Sequence, residues 1–249
     1  MPDVMAFIAT YAVAMLGITL GYHRTLAHKA LILSPKARLA FAIFGATAAQ
    51  GPPSFWVAHH RAHHADPDGR RDPHSPRPAE ASTRTYGKLR AFLHAHMGWM
   101  LKGGVRYDSR LSKDLREDKT VRIVDRNYSL IVILGLAIPA LAILPASPAF
   151  IAFCKSLYWS GLVRIGAGHQ STWLVNSICH LWGYRNFETR DASRNNFFVA
   201  VLTLGEGWHN NHHANPARAR HGIKPQELDP TYWVVCLLKL AGLASNVRR

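Results

Sequence analysis

Charged residues are absent from two long stretches of the chain. Residues 4–22, VMAFIATYAVAMLGITLGY, contain no Asp, Glu, Lys or Arg, and neither do residues 127–154. The first stretch has 19 residues, enough to cross a bilayer as a helix at about 1.5 Å per residue. The second carries Pro139, Pro145 and Pro148. It predicts one span ending near Leu144, a tight turn over residues 145–148, and a returning span from about Ala149 to Gly168. Lys155 and Arg164 fall within that return, so they must face protein, a cavity or head groups. The alternative is a pair of core helices in a soluble protein, but uncharged runs of this length exceed ordinary core helices. Three apolar stretches are too short to span: Ala37–Ala49 predicts an interfacial segment, and Phe197–Leu204 and Tyr232–Leu243 predict packed or interfacial ones. The predicted fold class is an all-α integral membrane protein forming a single domain over residues 1–249. It has about three transmembrane helices (about 4–22, 128–144 and 149–168) and a cytoplasmic helical cap from residues 23–126 and 169–249.

Charge gives the orientation. The chain carries 30 Lys+Arg against 15 Asp+Glu, a formal net charge of +15. Residues 21–126 hold 19 of the cations and residues 164–249 hold 10. A hairpin over 127–168 puts both basic blocks on one face, which the positive-inside rule makes cytoplasmic; in a bacterium that is the inner membrane. The leading stretch lacks the basic start and cleavage site of a signal peptide. An apolar content of 48% excludes a disordered chain, and three cysteines exclude a disulfide framework. The basic charge is read as topology plus attraction for acidic partners and anionic lipid, not for nucleic acid. Asp66–Thr85, rich in Pro, Arg, Asp and Ser, predicts a loop, with Asp72-Pro73-His74-Ser75-Pro76 as an ordered motif inside it.

Fifteen histidines are the chemical anomaly. His23 and His28 form H-x4-H at the polar end of the first span. His60, His63 and His64 form H-x2-H-H, and His209, His212 and His213 repeat that spacing. On an α-helix each triplet aims its imidazoles in one direction. His23 and His28 lie about 140° apart on a straight α-helix, so they serve two ions or the helix ends between them. Asn176 and His180 share a helical face. Contiguous histidine tracts or a solvated basic face are the bland readings. There is no HExxH for a zinc protease, and imidazole suits iron, copper, nickel and zinc. Nine histidines, His180 included, are enough for two metal ions.

The words GITLGYHRTLAH, FWVAHHRAHH, DPHSP, WLVNSICHLWGYRNFE and GEGWHNNHH resemble the membrane fatty acyl desaturases. The nearest subgroup is the stearoyl-CoA (delta-9) desaturase-like one of bacteria and cyanobacteria. The resemblance runs from about Gly17 to the C-terminus. It implies two irons held by His23, His28, His60, His63, His64, His180, His209, His212 and His213, with Asn176 acting through water. His59, His74, His94, His96, His169 and His221 stay outside that set, and no further acid or base is assigned a catalytic role. Metal-bound imidazoles pass their other N–H to an acceptor; Glu206 and Asp72 are the expected partners, with Asp66 and Asp191 also near the boxes. The resemblance also implies that Gln50, Trp56 and Thr172 line the bend of an acyl tunnel, and Tyr11 and Met15 are placed near its closed end.

The implied reaction is O2-dependent. Two hydrogens leave neighbouring carbons, a cis double bond forms, delta-9 in this subgroup, oxygen leaves as water, and two external electrons are consumed. The substrate is palmitoyl or stearoyl as a CoA, carrier-protein or lipid ester, and a bulky Met15 favours the shorter chain. No flavin, nicotinamide, haem or iron–sulfur motif is present, so the electrons come from a separate protein, a ferredoxin or a b-type cytochrome with its reductase. A hydroxylase on the same site is the enzymatic alternative, and a metal-binding membrane transporter or sensor the non-enzymatic one. Family members usually carry two spans before the first box, whereas one is expected here.

Overall fold

The computed structural model describes residues 2–76, 87–101, 108–142 and 150–249. The expected turn at 145–148 and the loop residues 77–85 lie outside these. The first helix, α1 (Pro2–Leu16), continues without interruption into a π-helical stretch, Gly17–Ala27. The stretch is buried throughout. A two-residue strand, β1 (Ile32–Leu33), pairs antiparallel with β2 (Ala244–Ser245) and ties the start of the chain to its end. Ser34 caps α2 (Pro35–Thr47), with Pro35 in the first turn, where its missing N–H costs nothing.

Helix α2 lies directly on the π-helical stretch. A Cβ at Gly17 would stand 2.0 Å from the Gly45 nitrogen, and one at Gly21 would stand 2.7 Å from the Phe41 carbonyl oxygen. Only glycine permits that approach. The segment expected at the interface packs on the first helix, burying Ala37, Phe41, Ala42, Gly45 and Ala46. Pro52 and Pro53 then open α3 (Pro53–Ala65), which carries the second histidine box.

The middle of the chain supplies α4 (Lys88–Leu93), a π turn over His94–Gly98, α5 (Trp99–Leu101), α6 (Lys113–Glu117), α7 (Lys119–Arg126) and α8 (Tyr128–Ala142). A long helical run follows: α9 (Phe150–Ser156), a π-helical Leu157–Val163, and α10 (Arg164–Leu181). The last elements are α11 (Phe197–Leu202), α12 (His209–Ala214) and α13 (Pro230–Leu240). The described chain is mostly helical.

Among the described residues one helix, Asp3–Ala27, is long and apolar enough to cross a membrane alone. Lys119–Arg126 and Tyr128–Leu141 pass that test only together, bent by 69°. The third expected span, 149–168, is helical from Phe150 but does not pass it. Its Arg164 is buried and donates to the carbonyls of Thr47, Gly135 and Ser160. The charge thus faces protein, while Lys155 is exposed.

Candidate metal centre and substrate cavity

Four pieces of the chain bring their histidines together. His23, His28, His60, His64 and His212 form one buried group, and His63, His180, His209 and His213 form a second. Within each group the ligand atoms lie within 4.8 Å of one another. Nε2 atoms approach closely: His23 to His212 at 3.1 Å, His212 to His64 at 3.0 Å, His63 to His213 at 3.2 Å and His180 to His209 at 3.0 Å.

Two expectations about spacing change. His23 and His28 do share a group, their rings 4.8 Å apart. The reason is the π-helical winding: the His28 N–H donates to the His23 carbonyl, an i to i+5 bond, which stacks residues five apart on one face. The H-x2-H-H triplets, by contrast, do not aim as units. In α3 the i, i+4 pair His60 and His64 enters the five-member group and His63 the other. In α12 the pair His209 and His213 enters the four-member group and His212 the other. The i+3 imidazole sits just to one side of the i, i+4 line, so each helix straddles two neighbouring centres.

An apolar cavity reaches these groups. One part is lined by Met15, Ile18, Thr19, Val175 and Thr203, and another by Gln50, Phe55, Trp99 and Met100. Trp56, His60, His74, Thr172 and Asn176 line both. Trp56 Nε1 donates to Gln50 Oε1 at 3.2 Å, and Gln50 Nε2 donates to Thr172 Oγ1 at 2.9 Å. Asn176 lies on the wall beside His63 and His209. Tyr11 is not on the wall; its hydroxyl donates to Leu202 O and Ser171 Oγ, joining α10 to α11.

The family model for fatty acid desaturase matches residues 2–235. The chain belongs to the fatty acid desaturase family. It is 36% identical over 246 residues to hex-5-enoyl-(acyl-carrier protein) acetylenase of Moorena producens, covering 99% of this chain and 77% of that protein. It is 40% identical over 250 residues to a chloroplastic palmitoyl-monogalactosyldiacylglycerol delta-7 desaturase of Arabidopsis thaliana, covering 98% and 61%. It is 36% identical over 250 residues to an sn-1 stearoyl-lipid 9-desaturase of Synechocystis sp., covering 98% and 71%. The desaturase is thus an oxidoreductase, which removes the transporter and sensor alternatives.

Carboxylates surround the desaturase histidines. Glu206 Oε2 lies 2.6 Å from His23 Nδ1, Asp72 Oδ2 lies 2.9 Å from His63 Nδ1, and Asp191 Oδ2 lies 2.8 Å from His213 Nδ1. Asp68 Oδ1 is 2.9 Å from His180 Nδ1, without hydrogen-bond alignment. Burial by itself raises Glu206, but His23, His221 and Arg24 outweigh it and hold the carboxylate well below its ordinary range. Burial likewise opposes ionisation of Asp72 and Asp191, and the facing imidazoles prevail. Burial, then neighbouring imidazoles, pushes His28, His60, His64, His209 and His212 well below 6.5.

This donor set fits metal ions, and di-iron sites are known in the family. An ionised acceptor at Nδ1 assigns the ring proton there, leaving a bare lone pair on Nε2. Paired lone pairs about 3 Å apart repel one another, and a cation between them removes the conflict. Nitrogen-rich ligation suits iron as well as zinc or copper.

Sequence reasoning missed several participants. Arg24, inside the first box, is fully buried and bonds Glu206, Asp229 and the Ala219 carbonyl. His221 Nδ1 lies 3.3 Å from Glu206 Oε2, and its ring 4.5 Å from His212. His74 shares Asp72 with His63 and faces the cavity. Asp66 instead turns to Arg71. Asp68, two residues away, carried no spacing signal, whereas a count of one acceptor per imidazole calls for more acids than Glu206 and Asp72.

Proposed function

We propose that the chain is an O2-dependent di-iron acyl desaturase that places a cis double bond, delta-9, in a palmitoyl or stearoyl chain. The observation that carries this is the pair of buried imidazole groups with converging Nε2 atoms, set beside an apolar cavity. His23, His28, His60, His64 and His212 would hold one iron. His63, His180, His209 and His213 would hold the other, with Asn176 through water. Bound iron supplies the oxidising power that unactivated C–H bonds require and that side-chain acids and bases lack.

The chain's own residues do the rest. Glu206, Asp72 and Asp191 keep ring protons on Nδ1, so Nε2 stays available, and Asp68 sets its charge beside His180. The Trp56–Gln50–Thr172 hydrogen bonds hold the bend against which an acyl chain must fold, fixing which carbons meet the metals. Met15 blocks the closed end, and Tyr11 stiffens it by bridging α10 and α11. The apolar wall excludes water.

The reading includes a membrane. Val4, Met5, Ile8, Leu130, Ile133, Ile138, Phe150 and Ile151 are all at least half exposed, and apolar exposure on that scale fits lipid contact. The protein is then multi-pass, with its basic, metal-bearing side cytoplasmic. Substrate arrives as a CoA, carrier-protein or glycerolipid ester, and a ferredoxin or b-type cytochrome supplies two electrons. The relatives support an acyl substrate, since their names include both a carrier-protein ester and lipids.

Expression in a host without desaturase activity, followed by mass spectrometry of its fatty acids, tests the proposal. A loss of two hydrogens at one position is expected. A gain of one oxygen would instead identify a hydroxylase on the same site.

A further inference from the structure

A second depression in the surface shares no lining residue with the apolar cavity. Arg218, Arg220, Gly222, Ile223, Tyr232 and Arg249 line it, and Lys224 and Arg248 are exposed next to them in the chain. None of these five cations makes an ion pair with a described carboxylate; the pairs formed elsewhere use Arg24, Lys29, Arg38, Arg61, Arg71 and Arg110. Arg218 Nε is buried with no hydrogen-bond partner. The two acids closest in sequence are committed inward: Asp229 to Arg24 and the His221 N–H, and Glu227 to Tyr184, Asn186, Asn211 and the 223–224 backbone. No described side-chain carboxylate neutralises these guanidinium groups.

Its lining residues Arg220 and Gly222 are one step along the chain from His221, which packs against the five-histidine group. Gly222 follows His221, which is 1% exposed. That ring lies 4.5 Å from His212 and 5.4 Å from His23. Ala219, one residue before Arg220, accepts from Arg24 Nη1 at 2.8 Å. Another basic patch, around Arg116, Lys119, Arg122 and Arg126, includes no histidine and leads into α8, where lipid head groups would suit it. Neither lining includes a histidine, and charge alone does not separate the two patches; the backbone step from Gly222 to His221, whose ring packs against His212, does.

We propose that the Arg218–Arg220–Arg249 depression is the docking face for an acidic electron-carrier protein of the two-iron, two-sulfur ferredoxin type, with His221 the shortest bridge inward. The inference rests on the di-iron reading. Two reduced ferredoxins each give up one electron, and two ferric ions become ferrous. Opposite charge steers the encounter, and electron transfer rewards the thinnest intervening layer.

The test follows reduction of the iron-loaded full chain in detergent by stopped-flow absorbance. One arm uses a reduced plant-type ferredoxin, the other dithionite with methyl viologen. R220E/R249E is compared with R116E/R122E, which changes net charge equally. At low salt, ferredoxin should reduce R220E/R249E about tenfold more slowly than wild type, with the control variant within about twofold, and added salt should slow wild type most. Dithionite should reduce all three alike. R220Q/R249Q should slow less, and serves if charge reversal prevents folding. Equal ferredoxin rates in all proteins, or an equal slowing in both reversed variants, overturn the docking face. Wild type reduced by dithionite but not by ferredoxin overturns the partner class. A protein that holds no iron, or that neither reductant reduces, overturns the di-iron reading instead.

Discussion

His63 Nε2 stands 3.2 Å from His213 Nε2, and an Nδ1–H on each ring, where a carboxylate faces it, would leave neither Nε2 a proton to offer the other. Both protons are drawn to the far side, toward Asp72 and Asp191. The contact joins the second histidine box to the third across 150 residues of sequence, and it makes sense as two ligands of one cation.

Metal content should follow that geometry. Purified protein should hold about two irons per chain, and His63→Ala about one, since the five-member group keeps its donors. Elemental analysis after dialysis checks this. Stripping metal with a chelator should lower the melting temperature, and adding ferrous ion back at about 100 times its dissociation constant should restore about 2.7 kcal/mol.

Glu206→Gln tests the acceptors around the metal site. Glu206 takes His23 Nδ1 on one oxygen and Arg24 on the other, and an amide cannot accept on both. Iron affinity at the five-histidine group should fall about 10–100-fold. Chelator competition measures it, and unchanged affinity would leave Glu206 without a role at the metal.

Acid should destabilise the metal-free protein. His28, His60, His64, His209 and His212 are held below 6.5 in the fold, His213 at about 4 and His74 at about 3. The unfolded chain therefore takes up protons first as pH falls from 6.5, and stability drops. Glu206 and Asp72, depressed in the fold, add a contribution that is present above the ordinary carboxylate range and lost at lower pH. His180 is raised, Asp68 overcoming burial; its contribution is full below 6.5 and lost as pH rises through its folded value. Five strongly lowered imidazoles against one raised predict a melting temperature falling from pH 6.5 to 4. A flat profile over that window would contradict the assignment.

Met15→Ala should lengthen the preferred acyl chain by about two carbons if Met15 is the stop, because it is 1% exposed, lines the cavity and its loss opens space there. Chain-length profiling of the products is the readout. An unchanged profile would rule out Met15 as the stop.

Gly17→Ala should prevent folding or cost several kcal/mol, since the new methyl would meet backbone atoms of α2 at 2.0 Å. Thermal melts should separate it from Gly87→Ala, where nothing lies within 4 Å.

Much of this was legible in the chain. The uncharged runs marked α1 and α8, because lipid-length apolar stretches are a local property. The boxes marked the histidines that the fold gathers into two groups, because metal ligation calls for a few residue types at helical spacing. Ala37–Ala49 was less legible: its glycine-mediated contact with Gly17 involves two segments whose hydropathy says nothing of how closely they pack. His221 and Asp68 were missed because each acts through a partner far away in sequence.

By itself the sequence determined the donor chemistry and the helical spacing within each box, since both follow from side-chain identity and from bonds reaching four residues along the chain. Tertiary structure alone decided that four separate segments bring their histidines into two groups, and that Asp68 and Asp191 sit behind the rings. Those outcomes depend on how α3, α10 and α12 cross, and crossing is settled by the packing of whole surfaces, which no local spacing encodes.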